Sequence, residues 1–193
     1  MPELKTKTQF KEAIAYLKES SNYIYITITI FIISAIMGFF YRSELTFLNK
    51  IIAEIILKIQ GLNSIEMVFF ILQNNLQSSF LAVILGIAFG IFPIINSISN
   101  GAVIGYVLGL AYDIAGFSEW WRLLPHGIFE LPAIFISISL GMKLGFSIFL
   151  PKKLRAKEFK RRFYNAMNTF LMIVIPLLII AAIIEGLLIA ALG

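Results

Sequence analysis

The sequence contains no cysteine, one histidine in 193 residues, and few charges, which make up 14% of the chain. The missing cysteine excludes disulfides, thiol catalysis and thiolate metal sites. The lone His126 excludes a metal site built from several histidines of one chain. Scarcity of charge is the most informative absence. An average soluble domain is about 25% charged and about 45–50% apolar. Here 59% of residues are hydrophobic and the mean hydropathy is +0.89. A globule this small has too little polar surface to coat itself at that composition, so the chain reads as an integral membrane protein. Also missing are a phosphate-cradling glycine loop, a serine–histidine arrangement and a catalytic carboxylate pair with a plausible water path. No extramembrane segment is large enough to hold an active site. No enzyme activity, cofactor or metal is therefore expected. Residues 1–22 carry mixed charge, and no small-residue cleavage site follows the first apolar run, so no cleavable signal peptide is expected.

What is present is a series of apolar runs. About 20 such residues cross a bilayer as a helix, and the runs lie at roughly 23–41, 78–95, 98–115, 127–150 and 167–192. The second helix can begin earlier, near Ser64. The expected fold is an all-α membrane protein of five transmembrane helices in a single integral domain covering 1–193. The β-branched first run does not argue for a strand, because an open sheet edge cannot be satisfied in lipid.

The net charge of +5 comes largely from residues 151–162, PKKLRAKEFKRR. Between two spans this run reads as a cytoplasmic loop, not a nucleic-acid patch. Five spans place it on the same side as Lys5, Lys7, Lys11 and Lys18, eleven basic residues in all, against Arg42, Lys50, Lys58 and Arg122 on the other. The positive-inside rule then puts the N-terminus in the cytoplasm and the C-terminus outside the cell membrane.

Two segments read as lying along the bilayer. Leu48, Ile51, Ile52, Ile55, Ile56 and Ile59 follow helical spacing, which gives either an outer interfacial amphipathic helix or one packed over the spans. Phe10, Ile14 and Leu17 make a weaker stripe. Small residues recur every fourth position at Ser78–Ala82–Gly86–Gly90, Gly101–Gly105–Gly109 and Ala133–Ser137–Gly141–Gly145. Such rows let helix backbones approach closely, and predict tight glycine-rich packing of helices 2–4. A shorter row, Ala182–Gly186–Ala190, can serve within the chain or between copies.

Few polar groups reach membrane depth. Gln73, Asn74, Asn75 and Gln77 precede the second apolar run, Asp113 ends the third, His126 and Glu130 open the fourth, and Glu185 sits near the far end of the fifth. The topology gathers them in the outer half of the membrane. His126 and Glu130, four apart, share a helix face. They read as an interhelical clamp, a proton or ion site, or an acid–base pair. Asn100–Gly101, after Pro93 and Asn96, reads as a tight turn between the second and third spans. Pro125 fits a first helical turn, whereas Pro132 should bend the fourth span. That span is expected to have a tilted or broken start. Trp120, Trp121 and Arg122 read as an interfacial anchor, and Lys143 as a snorkelling side chain.

At LLPHGIFELPA, residues 123–133, the sequence resembles the stage II sporulation protein M family of multi-pass membrane proteins. Supporting stretches are Asn74–Asn75, LGIAFGIFP at 85–93, Asn100–Gly101, and LGMKLG at 140–145. The resemblance covers residues 65–150 and implies the five-span plan and the cytoplasmic basic loop. It also implies membrane scaffolding: bacterial members work with peptidoglycan-degrading partners during forespore engulfment, while many relatives occur in organisms that neither sporulate nor make that wall. The motif positions carried over are Asn75, Asn100, Gly101, His126, Gly127, Glu130 and Pro132, none with a transferable catalytic role. The expected partners are the lipid bilayer, further copies of the chain, and other membrane or envelope proteins. A transporter or channel using the cluster around His126 and Glu130 is the alternative.

Overall fold

The computed structural model describes residues 2–122 and 124–192, with the side chains of 6–118, 120 and 127–185. Among these residues there are eight α-helices and no strand: α1 Pro2–Glu19, α2 Ser21–Phe40, α3 Leu48–Ile59, α4 Ser64–Ile84, α5 Ile91–Ala115, α6 Leu124–Gly145, α7 Lys152–Thr169 and α8 Ile175–Leu192. Five stretches are long and apolar enough to cross a membrane: Ser21–Phe40, Ser64–Ile87, Ile91–Ser118, Gly127–Phe149 and Lys152–Glu185. The last runs from α7 into α8 through one π-helical turn, Phe170–Val174. Pro176 follows after one residue, Ile175. It cannot donate to the carbonyl one turn back, and its ring crowds that carbonyl; a widened turn relieves the conflict.

The second span begins where Asn63 caps α4. Its side-chain oxygen accepts from the backbone N–H groups of Ile65 and Glu66 at 3.0 Å, and Glu66 accepts from the Asn63 N–H at 2.9 Å. This reciprocal box fixes the helix start. The chain reverses between α4 and α5 at Phe89 and Gly90, both left-handed, with φ of 58° and 71°. Such a φ costs a non-glycine residue about 1–2 kcal/mol. The expected turn at Asn100–Gly101 is thus corrected: Asn96, Asn100 and Gly101 lie inside α5, and Pro93 occupies its first turn. Glycine at 101 answers a close approach, not a turn. The tilted or broken entry expected of the fourth span falls at residue 123, which lies outside the described residues. A short 3₁₀ segment, Gly116–Arg122, precedes a continuous α6, with Pro132 well inside it.

The glycine rows make two tight pairs. A Cβ on Gly105 would strike the Ala35 carbonyl, one on Gly101 the Phe31 carbonyl, and one on Gly38 the Ala102 carbonyl. The row on the third span therefore faces the first span, and α2 packs on α5 more extensively than any other two elements. A Cβ on Gly141 would strike the Ala82 carbonyl, and one on Gly145 the Gly86 carbonyl. The expected close approach within spans two to four is present between α4 and α6, whereas the row on span three turns to α2, giving an α2–α5 pair beside an α4–α6 pair. Between α2, α5 and α6, the Ser97 hydroxyl donates to the Thr27 carbonyl at 3.1 Å and the Ser139 hydroxyl to Thr27 Oγ1 at 3.1 Å. Helices α1, α4, α6, α7 and α8 share an apolar core that includes Tyr16, Val83, Leu140, Phe170 and Leu178.

Helix α3 buries Leu48 but leaves Ile51, Ile55 and Ile56 about half exposed. Its apolar stripe is not covered by the spans. One hydrogen bond ties it to the spans: the Tyr106 hydroxyl donates to Asn49 at 2.6 Å.

Candidate functional site

Of the polar residues expected to converge, Asp113 lies near the end of α5, Glu130 near the start of α6 and Glu185 in the second half of α8. Asp113 is exposed at the end of α5 and pairs with Arg42, just past α2, through bonds of 2.6 and 2.7 Å. Glu185 is half-buried on α8. Glu130 is half-buried on α6 and is not free. Among the described residues, no three His, Asp or Glu side chains come together as metal ligands would. The side chain of His126 lies outside the described residues, and so does the expected His126–Glu130 pairing; those of Trp121 and Arg122 do too. Trp120 packs against Phe117 and Phe39, with ring centroids 4.9 and 6.0 Å apart. Gly127 has only the Leu131 side chain near the position of a Cβ among the described residues.

Asn74 and Asn75 were placed outside the apolar run by hydropathy, but the helix continues through them to Asn63. Asn74 is ten residues from Ser64 and thirteen from Ile87, so it stands about 15 and 20 Å from the two ends at 1.5 Å per residue. It belongs at the middle of the span. Helices α4 and α5 touch little beyond their shared turn, and Asn74, Gln77, Ser78, Leu81, Phe92 and Asn96 line a cavity of about 270 Å³ between them. On the α5 side, the Asn100 amide donates to the Asn96 carbonyl at 2.8 Å and to Asn96 Oδ1 at 3.1 Å. On the α4 side, Asn74 reaches only Asn75, at 3.5 Å. Asn74 and Asn96 thus line one cleft from its two sides, with Asn100 bonded to Asn96 one turn on in α5, which the expected turn at 100–101 had hidden.

A second polar assembly closes the basic end. Lys143 is buried, with 4% of its side chain exposed. This corrects the snorkelling expectation. Its ammonium lies 3.0 Å from Glu19, donates to Ser20 Oγ at 3.0 Å, and sits 4.0 Å from the centre of the Tyr16 ring. Glu19 also receives two bonds from Arg161, at 2.8 and 2.9 Å. Arg162 donates to the Lys143 carbonyl at 2.6 Å, and Asn168 to the Gln9 carbonyl at 2.9 Å. Direct bonding by Arg161, then by Lys143, holds the Glu19 carboxyl down to about 2. Burial pushes the Tyr16 phenol up. The knot joins α1, α6 and α7, so the two basic segments share one end of the bundle. The sequence signal was one lysine in an apolar span and one glutamate before the first.

The family described as Stage II sporulation protein M matches residues 27–188. Two uncharacterized proteins of Methanocaldococcus jannaschii are similar to this chain. One is 37% identical over 123 residues, covering 60% of this chain and 66% of its own length. The other is 33% identical over 127 residues, covering 64% of this chain and 56% of its own length. The chain thus spans less than two thirds of the curated relatives it matches. No solved structure matches.

Proposed function

We propose that this chain, which belongs to the stage II sporulation protein M family, works as a non-enzymatic membrane scaffold. In this reading it is a homo-oligomeric body that recruits other membrane or envelope proteins. The observation that carries the reading is the interior packing. At Gly38, Gly105 and Gly141 one backbone lies directly against another, and Ser97 and Ser139 are satisfied on Thr27 within the bundle. A carrier that alternates access needs bundles that rock apart around a central site; here α2 and α5, and α4 and α6, are in backbone contact at glycine. The cavities of about 270 and 480 Å³ open at the surface instead. The basic end, carrying α1 and α7, faces the cytoplasm by the positive-inside rule, and the uncovered stripe of α3 lies in the outer interface.

The test is reconstitution of the purified chain in liposomes, with native mass spectrometry of the same preparation. Oligomers without ion or solute flux are expected. Proton or ion flux abolished by Glu130→Gln would replace the scaffold with the transporter reading.

A further inference from the structure

We infer that the amide-lined face of α4, at its cleft with α5, is where a second copy of this chain docks within the bilayer. The inference rests on the oligomeric reading above and names its interface. Gln73, Asn74 and Gln77 are exposed at mid-span, on the same helix face as Phe69, Phe80 and Leu81, which are 67%, 43% and 37% exposed. Hydrocarbon offers no donor or acceptor, and an unpaired amide there is costly. The Gln77 amide makes no hydrogen bond among the described residues, and the single Asn74 contact is long. Across the cleft, Asn100 spends its donors on Asn96, and the Asn96 amide hydrogens have no partner among the described residues.

Three properties select a second copy as the occupant. Amides carry donor and acceptor together, so the face is complementary to itself, as a two-fold interface requires. No charged side chain lines the cleft, so like copies do not repel. Its volume of about 270 Å³ falls below the roughly 300–1,000 Å³ of small-molecule sites. It suits one or two side chains from a facing helix. A two-fold axis along α4 sets Gln77 opposite its own copy, with Phe69 and Phe80 packing above and below.

The native chain has no cysteine, so a single introduced one reports cleanly. Gln77→Cys in native membranes should form a disulfide-linked dimer on mild oxidation. Ile33→Cys, 53% exposed on α2, should not. Interhelical amide bonds contribute about 1–2 kcal/mol each in model helices, so Gln77→Leu should weaken dimerisation about tenfold while leaving the melting of the monomer unchanged. If native mass spectrometry shows oligomers but Gln77→Cys does not cross-link, or Gln77→Leu assembles like the parent, this interface is wrong and the oligomeric reading stands. If the chain is monomeric throughout, both fall. A different membrane protein trapped at position 77, with the purified chain monomeric, also overturns the inference.

Discussion

Removing the carboxylate of Glu19 should harm the fold more than removing the cation it pairs with. Glu19→Ala strands the Lys143 ammonium, whose side chain is 4% exposed, with only Ser20 Oγ and the Tyr16 ring for company. Breaking a buried pair from one side costs about 3–5 kcal/mol, and the two surviving contacts put this case at about 3 kcal/mol. Lys143→Met is different. Glu19 is 44% exposed and keeps both bonds to Arg161, so the loss resembles that of a surface pair, below about 1 kcal/mol. The double variant should therefore be more stable than Glu19→Ala alone, by about 2 kcal/mol. Unfolding by titrated sodium dodecyl sulfate in mixed micelles measures all four proteins. Equal losses for the two single variants, or additive losses in the double one, would refute the argument that an isolated buried cation dominates the knot.

Gly105→Val should lower stability by about 1–3 kcal/mol through overpacking, because the Ala35 carbonyl it would strike is helix backbone; an unchanged unfolding midpoint would contradict the α2–α5 contact. Gly127→Ala meets only the Leu131 side chain among the described residues, and should stabilise α6 by up to about 1 kcal/mol, read in the same titration. Asp113→Asn should leave the midpoint unmoved in moderate salt, since both partners of the Arg42 pair are exposed to screening. Glu19 titrates at about 2 in the fold against an ordinary 4.5, so its stabilisation is complete above pH 4.5 and fades as pH falls towards 2. Proteolysis of the α1–α7 junction between pH 6 and 3 should show the loosening, and Glu19→Gln should flatten the profile.

The number of spans and the pairing of the two basic segments at one end were legible because hydropathy and Lys/Arg placement report them directly. Helix ends were less so. Apolar content falls before Ser78, yet α4 begins at Ser64, the earlier start the sequence allowed, because a helix satisfies its own backbone whatever its side chains, and the Asn63–Glu66 box marks the start. That one shift moved Asn74 from the membrane surface to its middle. Asn100–Gly101 has the composition of a turn, but Phe89 takes the left-handed conformation that composition assigned elsewhere. The glycine rows announced close contact without naming the partner, so Gly105 was grouped with the wrong neighbour. Lys143 was read alone because its partner, Glu19, is 124 positions away in the chain.

Helices α7 and α8 form one unbroken rod from Lys152 to Leu192, about 60 Å at 1.5 Å per residue and so about twice the depth of the hydrocarbon layer. Its cationic half is clasped by α1, and its apolar half lies against α4 and α6. No loop interrupts the helix between Arg161 and the end of α8. Among the described residues the π-helical turn ahead of Pro176 is where the regular winding changes, so displacing the basic end would carry the last span with it, against α4 and α6.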